Sequence, residues 1–185
     1  LGQEAIAMAD SHKNEKWKAK IYIALGNVYH KKSNYDKSIE YYEKAKDLFF
    51  TTNDTTAILT ICNNLGTTYT DKGEYAKSQR LLFAGLKIAE EKNAELDLAR
   101  ILNNIGLNYY FQQDYKTALQ YYERALEIRN KIGDKQGVAL AYNNIGIVYY
   151  FLNNLEKVVD YFHKALNIYE ELGDIRGQSL PLYNI

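Results

Sequence analysis

Asn103-Asn104-Ile105-Gly106-Leu107-Asn108-Tyr109-Tyr110 is a phrase that this chain states four times. It returns as Tyr22-Ile23-Ala24-Leu25-Gly26-Asn27-Val28-Tyr29, as Asn63-Asn64-Leu65-Gly66-Thr67-Thr68-Tyr69 and as Asn143-Asn144-Ile145-Gly146-Ile147-Val148-Tyr149. The glycines Gly26, Gly66, Gly106 and Gly146 follow one another at 40 residues, and so do Tyr29, Tyr69, Tyr109 and Tyr149. A fixed period between about 20 and 50 residues marks a stacked-repeat architecture, in which each unit buries its apolar face on its neighbours.

At that period almost every residue finds a place. Four units are expected, at 15–54, 55–94, 95–134 and 135–174, with a partial unit at 1–14 and the start of another at 175–185. In the partial unit Ala5 aligns with Ala45, Gly85, Ala125 and Ala165, so residues 1–14 are expected to be the second helix of a pair. Both ends fall inside a unit, so the chain is expected to be a portion of a longer protein.

Within a unit the apolar spacing is helical. Leu98, Ile101, Leu102, Ile105 and Tyr109 recur at steps of three and four residues. Past Gln113-Asp114 a second stripe runs through Tyr115, Ala118, Leu119, Tyr122, Ala125, Leu126 and Ile128. Each unit is therefore two antiparallel helices joined by a short polar turn. Between units, Gly133-Asp134 and Gly173-Asp174 supply a glycine to end one helix and an aspartate to cap the next. Asn53-Asp54 can do the same, whereas Asn93-Ala94 lacks the cap and is expected to be looser. A glycine inside a helix costs about 1 kcal/mol against alanine. Its recurrence implies that a neighbouring helix comes closer than a Cβ permits, with Tyr42, Leu82, Tyr122 and Phe162 filling the space beside it.

Composition bounds the function. Lys plus Arg equals Asp plus Glu at 23 each, so no global field draws in nucleic acid. No apolar run approaches the roughly 18 residues of a membrane span. The single cysteine, Cys62, excludes an intramolecular disulfide and fits a reducing, cytoplasmic setting. Aligned with Tyr22, Leu102 and Tyr142 on the apolar stripe, Cys62 reads as a buried hydrophobe. His12, His30 and His163 have no metal-ligand spacing. No nucleophile elbow, phosphate loop or paired-histidine zinc motif occurs. The chain is expected to be neither an enzyme nor the holder of a cofactor or metal.

The run hydrophobe-Leu/Ile-Gly-x-x-Tyr, then a small residue (Ser38, Ser78, Ala118, Val158), then Tyr/Leu/Phe and Ala/Gly, resembles the tetratricopeptide repeat signature. The period departs from the usual 34 residues, and Gly-Asp or Asn-Asp replaces the closing proline. The longer form with an Asn-Asn-x-Gly core looks like the repeats of Pins-type adaptors, kinesin light chains and bacterial signalling regulators. The resemblance implies an all-α fold, a right-handed α-solenoid of antiparallel helix pairs. It also implies a concave groove, lined by the first helix of each unit, that binds a protein or peptide partner.

Three constellations lie on that face. Asparagine is a poor mid-helix residue, yet it is doubled at Asn63-Asn64, Asn103-Asn104 and Asn143-Asn144, with Asn184 following at the same period. On the first helix, positions 60, 64, 67 and 71 share one face, and 63 and 70 flank it. An amide offers donors and an acceptor that suit the backbone of an extended peptide; the same amides can instead bond neighbouring helices and set the spacing of units. Tyr110, Phe111, Tyr150 and Phe151 stand where earlier units carry His30, Lys31, Thr70 and Asp71, an aromatic patch suited to an apolar or aromatic side chain of a guest or to packing under the next pair. Groove charges are sparse: Lys20, Lys31, Asp71 and Arg100, of which Arg100 joins the candidate binding set. Three readings follow: an interaction scaffold for an extended peptide, a peptide-sensing region of a larger bacterial signalling protein, and a self-association module acting through repeat ends.

Overall fold

The computed structural model describes residues 14–50 and 54–184. The expected helix at 1–14, along with Asn53 and His12, lies outside the described residues, apart from Asn14, whose side chain accepts from the Trp17 N–H at 2.9 Å. Among the described residues every regular element is helical. The helices are α1 (Glu15–Lys31), α2 (Tyr35–Phe50), α3 (Thr55–Asp71), α4 (Tyr75–Glu91), α5 (Glu95–Phe111), α6 (Tyr115–Ile132), α7 (Lys135–Phe151), α8 (Leu155–Glu171) and α9 (Ile175–Asn184). They form two compact units that divide at Lys92–Asn93.

The first unit pairs α1 with α2 and α3 with α4. Gly26 and Gly66 are buried, and the second helix of each pair lays a large side chain in the space that a Cβ would occupy. A Cβ on Gly26 would stand 2.5 Å from the Tyr42 ring, and one on Gly66 would stand 2.7 Å from the Leu82 side chain. Beside these seats, small polar groups cross-link the pairs. The Ser38 hydroxyl donates to the Gly26 carbonyl at 2.9 Å, and the Thr70 and Ser78 hydroxyls lie 2.7 Å apart in the core. Ala19, Ala45, Phe49 and Ile61 form the apolar cluster that joins α1 and α2 to α3.

The second unit repeats the scheme with α5–α6 and α7–α8, and adds α9. Cβ atoms on Gly106 and Gly146 would fall 2.8 Å and 2.6 Å from the rings of Tyr122 and Phe162. Ala118, Tyr122, Ile145, Val148 and Phe162 form the continuous core from α6 to α8.

The turns obey the same period. In each intra-pair turn one residue takes the left-handed conformation: Ser33 (φ 55°), Gly73 (φ 83°), Gln113 (φ 64°) and Asn153 (φ 57°). The amide three positions past each helix then reaches back to the carbonyl of Tyr29, Tyr69, Tyr109 or Tyr149, at 2.8–3.0 Å. Satisfying an orphan carbonyl this way offsets the strain of a positive φ outside glycine. Between pairs, Gly133 and Gly173 are left-handed at φ 72° and 64°, and Asp134 and Asp174 accept from the amides of Gly137 and Gly177 at 3.0 and 2.9 Å. Asp54 caps α3 at Ala57. At the remaining junction Asn93 takes φ 51°, and no side chain caps α5 at Ala94.

These seats predict an order of stability. Gly106→Ala gains about 1 kcal/mol of helix propensity but drives a methyl into a buried ring and to 3.2 Å from the Ala118 carbonyl. A net loss of about 1–2 kcal/mol is expected, by the cost of overpacking. Gly66→Ala meets the more yielding Leu82 and loses less. Urea denaturation of the two variants measures the difference.

Candidate functional site

The face opposite the glycine seats carries the candidate side chains. On α3 this face presents Thr60, Asn64, Thr67 and Asp71, all half-buried, with Asn63 at the same exposure beside them. Thr70, expected to flank the face, is buried at 2% exposure because its hydroxyl is spent on Ser78. Asn64 donates to the Asn27 carboxamide oxygen at 3.2 Å, and that oxygen also accepts the Tyr42 hydroxyl at 2.6 Å. Asn63 donates to Asn64 at 3.3 Å. The amides therefore tie α3 to α1. Asn27 is the member of this network that the repeat pattern did not reveal, since Thr67, Leu107 and Ile147 occupy its place in later units.

In the second unit α5 shows Arg100, Asn104, Leu107 and Phe111, and α7 shows Leu140, Asn144, Ile147 and Phe151. Asn103 and Asn143 lie beneath them, 8% and 3% exposed. Asn144 donates to Asn103 at 2.9 Å across the helices, and Asn103 donates to Asn104 at 3.3 Å along α5. One member of each pair in this unit, Asn103 or Asn143, is thus inside and the other, Asn104 or Asn144, stands half-open; the bridge between the two helices runs from half-open Asn144 to buried Asn103. Arg100 is exposed, with Nη1 3.5 Å from Asp97. Asn184 lies in α9, and its side chain is outside the described residues.

At the C-terminal ends of α5 and α7 the aromatic residues converge. Tyr110 meets Phe111 and Phe151 edge-on, with ring centroids 5.5 and 5.6 Å apart, and Phe151 stacks on Tyr115 at 5.0 Å. Tyr150 meets Phe151 at 5.4 Å and nearly 90°. Tyr150 is 60% exposed, Phe151 47% and Phe111 45%, so the cluster packs on itself and still shows its rings to solvent. Burial, aided by the nearby Tyr115, pushes the Tyr110 hydroxyl up. Tyr115, a first-turn residue of α6, completes the cluster; the sequence had placed it only on the core stripe. The corresponding corner of the first unit is polar, with His30 Nε2 2.8 Å from Asp71 Oδ2.

Other charged and reactive side chains divide between surface and core. Lys20 is exposed and borders a recess of about 440 Å³ with Lys16, Ile23, Phe49, Ala57 and Thr60. Lys31 is exposed at the end of α1. Arg129 is 5% exposed, its guanidinium donating to the Gly137 carbonyl at 2.6 Å, which leaves no room for a Cβ on that glycine. Cys62 is buried, and desolvation pushes its thiol up while Lys46 pulls weakly the other way. Among the described residues, no His, Cys, Asp and Glu side chains gather as a metal-holding group, and no helix is long and apolar enough to cross a membrane. A thiol held protonated is a poor nucleophile. Alkylation of Cys62 by iodoacetamide at pH 8 is expected to run at least about tenfold slower in the native chain than in urea, and equal rates would contradict its burial.

Comparison with known proteins follows the same geometry. A tetratricopeptide repeat family model matches residues 17–91 and 97–171. No curated protein matches the chain in sequence. Among solved structures, BtubC (BKLC) from P. vanneervenii superposes with a TM-score of 0.83 at 21% identity, over 99% of this chain and 78% of that one. Aspartyl phosphate phosphatase F from Bacillus subtilis gives 0.88 at 20% identity, over 99% of this chain and 48% of that one. The Rap conjugation gene regulator of the plasmid pLS20, in complex with a Phr peptide, gives 0.75 at 21% identity, over 86% and 44%. The chain thus spans under half the length of the last two. At such identities the shared feature is the fold, an all-α solenoid of antiparallel helix pairs.

Proposed function

Because this chain belongs to the tetratricopeptide repeat family, we propose that it is a non-enzymatic interaction scaffold whose first helices hold an extended segment of a partner protein. The repeating units of the scaffold are 15–54, 55–94, 95–134 and 135–174, flanked by partial units at 1–14 and 175–185. The observation that carries the reading is the split of the asparagine pairs in the second unit. Asn103 and Asn143 are inside, while Asn104 and Asn144 stand half-open between Arg100 and the exposed rings of Phe111, Tyr150 and Phe151. Mid-helix amides bridged from below are preorganised, so a guest backbone meets donors and acceptors whose ordering entropy is already spent. A face of amides reads backbone more than side chains; the rings then add an anchor. In the first unit Asn64 plays the half-open part, supported by Asn63 and Asn27.

A second reading makes the chain a peptide-sensing region of a larger signalling protein. The pLS20 regulator, whose structure holds a Phr peptide, favours it, since this chain covers 44% of that protein. The two readings share the same face and differ in what lies next to it.

Random heptapeptides displayed on phage and panned on the purified chain test the shared face. Recovered peptides are expected to lose about tenfold in affinity on Asn104→Ala or Asn144→Ala, near the 1.4 kcal/mol of one hydrogen bond from a preorganised amide. Peptides whose affinity ignores both substitutions would remove the amides from the site.

A further inference from the structure

Where one helix pair meets the next, a residue in the last turn of the second helix faces one in the first turn of the following helix. In the second unit the large member stands on the second helix and the small one opposite: Arg129 against Gly137, and Tyr169 against Gly177. Arg129 and Tyr169 are 5% and 3% exposed, and a Cβ on Gly137 would stand 2.5 Å from Arg129 Nη1. The same columns of the first unit hold Phe49 and Ala57. Phe49 is buried in the cluster of Ala19, Ala45 and Ile61, and over it a recess of about 440 Å³ stays open between α1 and α3. Its floor is Ile23, Phe49 and Ala57, while Lys16 and Lys20 rim it on α1 and Thr56 and Thr60 on α3. Ile23 and Thr60 each precede by one turn an asparagine of the Asn64–Asn27 bridge, so the recess adjoins the amide face.

The charges at the rim are unequal. Lys16 and Lys20 against Asp54 leave a single positive charge in excess. Asp54 is already committed: it pairs with Lys16 at 3.0 Å and accepts the Ala57 amide, and these contacts hold its carboxyl below the usual range. Lys20 is exposed and acts on Asp54 only at longer range. Thr60 donates to the Thr56 carbonyl at 2.9 Å, whereas the Thr56 hydroxyl is bonded to nothing among the described residues. A cation and a hydroxyl donor thus stand unspent above an apolar floor.

We propose that this recess receives a glutamate side chain of the bound segment, its carboxylate on Lys20 and the Thr56 hydroxyl and its methylenes over Ile23 and Ala57. The proposal rests on the groove reading above and specifies one residue of the guest. A carboxylate matches the one uncompensated charge and takes a charge-assisted hydrogen bond from each donor. A lysine or arginine meets two like charges there. An apolar side chain fills the floor but takes Lys20 and Thr56 out of water without partners. Aspartate carries the charge on a stem too short to cover the floor. A guest strand held by Asn64 passes within about 6 Å of the recess along α3, so one segment reaches both.

Dodecapeptides displayed on phage and panned on the full chain provide the test, read on those recovered peptides whose affinity falls with Asn64→Ala. They are expected to share a glutamate. In synthetic copies with amidated C-termini, replacing it by glutamine, which keeps the shape and removes the charge, lowers affinity about three- to tenfold. Lys20→Met, which keeps the stem and removes the cation, is expected to cause the same loss and to abolish the difference between glutamate and glutamine. Melting followed by circular dichroism checks that the Asn64 and Lys20 variants fold. Responding peptides without a glutamate, or a preference for glutamate over glutamine that survives Lys20→Met, would overturn the assignment and leave the groove reading in place. If no recovered peptide responds to Asn64→Ala, the first unit lies outside the site and the assignment falls, while Asn104→Ala and Asn144→Ala decide the groove reading separately. A selection that returns no peptide overturns both.

Discussion

A large side chain from the second helix of each pair rests where a Cβ of the first helix would be. Four glycines, Gly26, Gly66, Gly106 and Gly146, accept Tyr42, Leu82, Tyr122 and Phe162 at distances no substituted residue tolerates. This contact fixes how closely the helices of a pair approach, and it consumes one face of every first helix. The opposite face is then free of core duty. That is why polar and aromatic residues can accumulate there without harming the fold, and why a repeat can vary this face from His30 and Asp71 in one unit to Tyr110 and Phe151 in the other on the same pair geometry.

The amides translate that frame into a surface. Within each unit they cross from one first helix to the next, Asn64 to Asn27 and Asn144 to Asn103. A buried amide without partners is costly, so each bridge both fixes helix spacing and holds its neighbour in a defined orientation. In the proposed reading, structural and binding roles are therefore not competitors at these positions: the bridges of Asn64 and Asn144 hold amides whose remaining exposed atoms would meet a guest. The burial of Tyr42, whose hydroxyl is pushed up to about 12 by desolvation while bonded to Asn27, shows how far the support reaches into the core.

Much of this was legible in the residues. The period of the glycines and tyrosines marked out the helix pairs of the described residues, and Asp54, Asp134 and Asp174 announced themselves as caps. Other features were hidden for identifiable reasons. Ser33, Gln113 and Asn153 take left-handed conformations without being glycine, because a carbonyl of the repeat tyrosine rewards them with a hydrogen bond that only the folded turn reveals. Which asparagine of each pair points inward depends on the angle between neighbouring helix pairs, which one helix's periodicity does not encode. Thr70 looked like a groove residue until its hydroxyl was found on Ser78. Asn27 and Tyr115 escaped notice because each departs from its column or doubles as core, and a repeat alignment averages such residues away.

The central claim is that the half-open amides and rings of the first helices face a guest rather than closing on themselves. Side-chain amide resonances of Asn104 and Asn144, followed by NMR with a spin label on a panned peptide, address it directly. The account predicts strong broadening of both signals and of the Tyr150 ring, with Tyr121 and Tyr161, second-helix rings stacked on Tyr109 and Tyr149, unaffected. Broadening confined to that tyrosine side, with Asn104 and Asn144 unchanged, would contradict it.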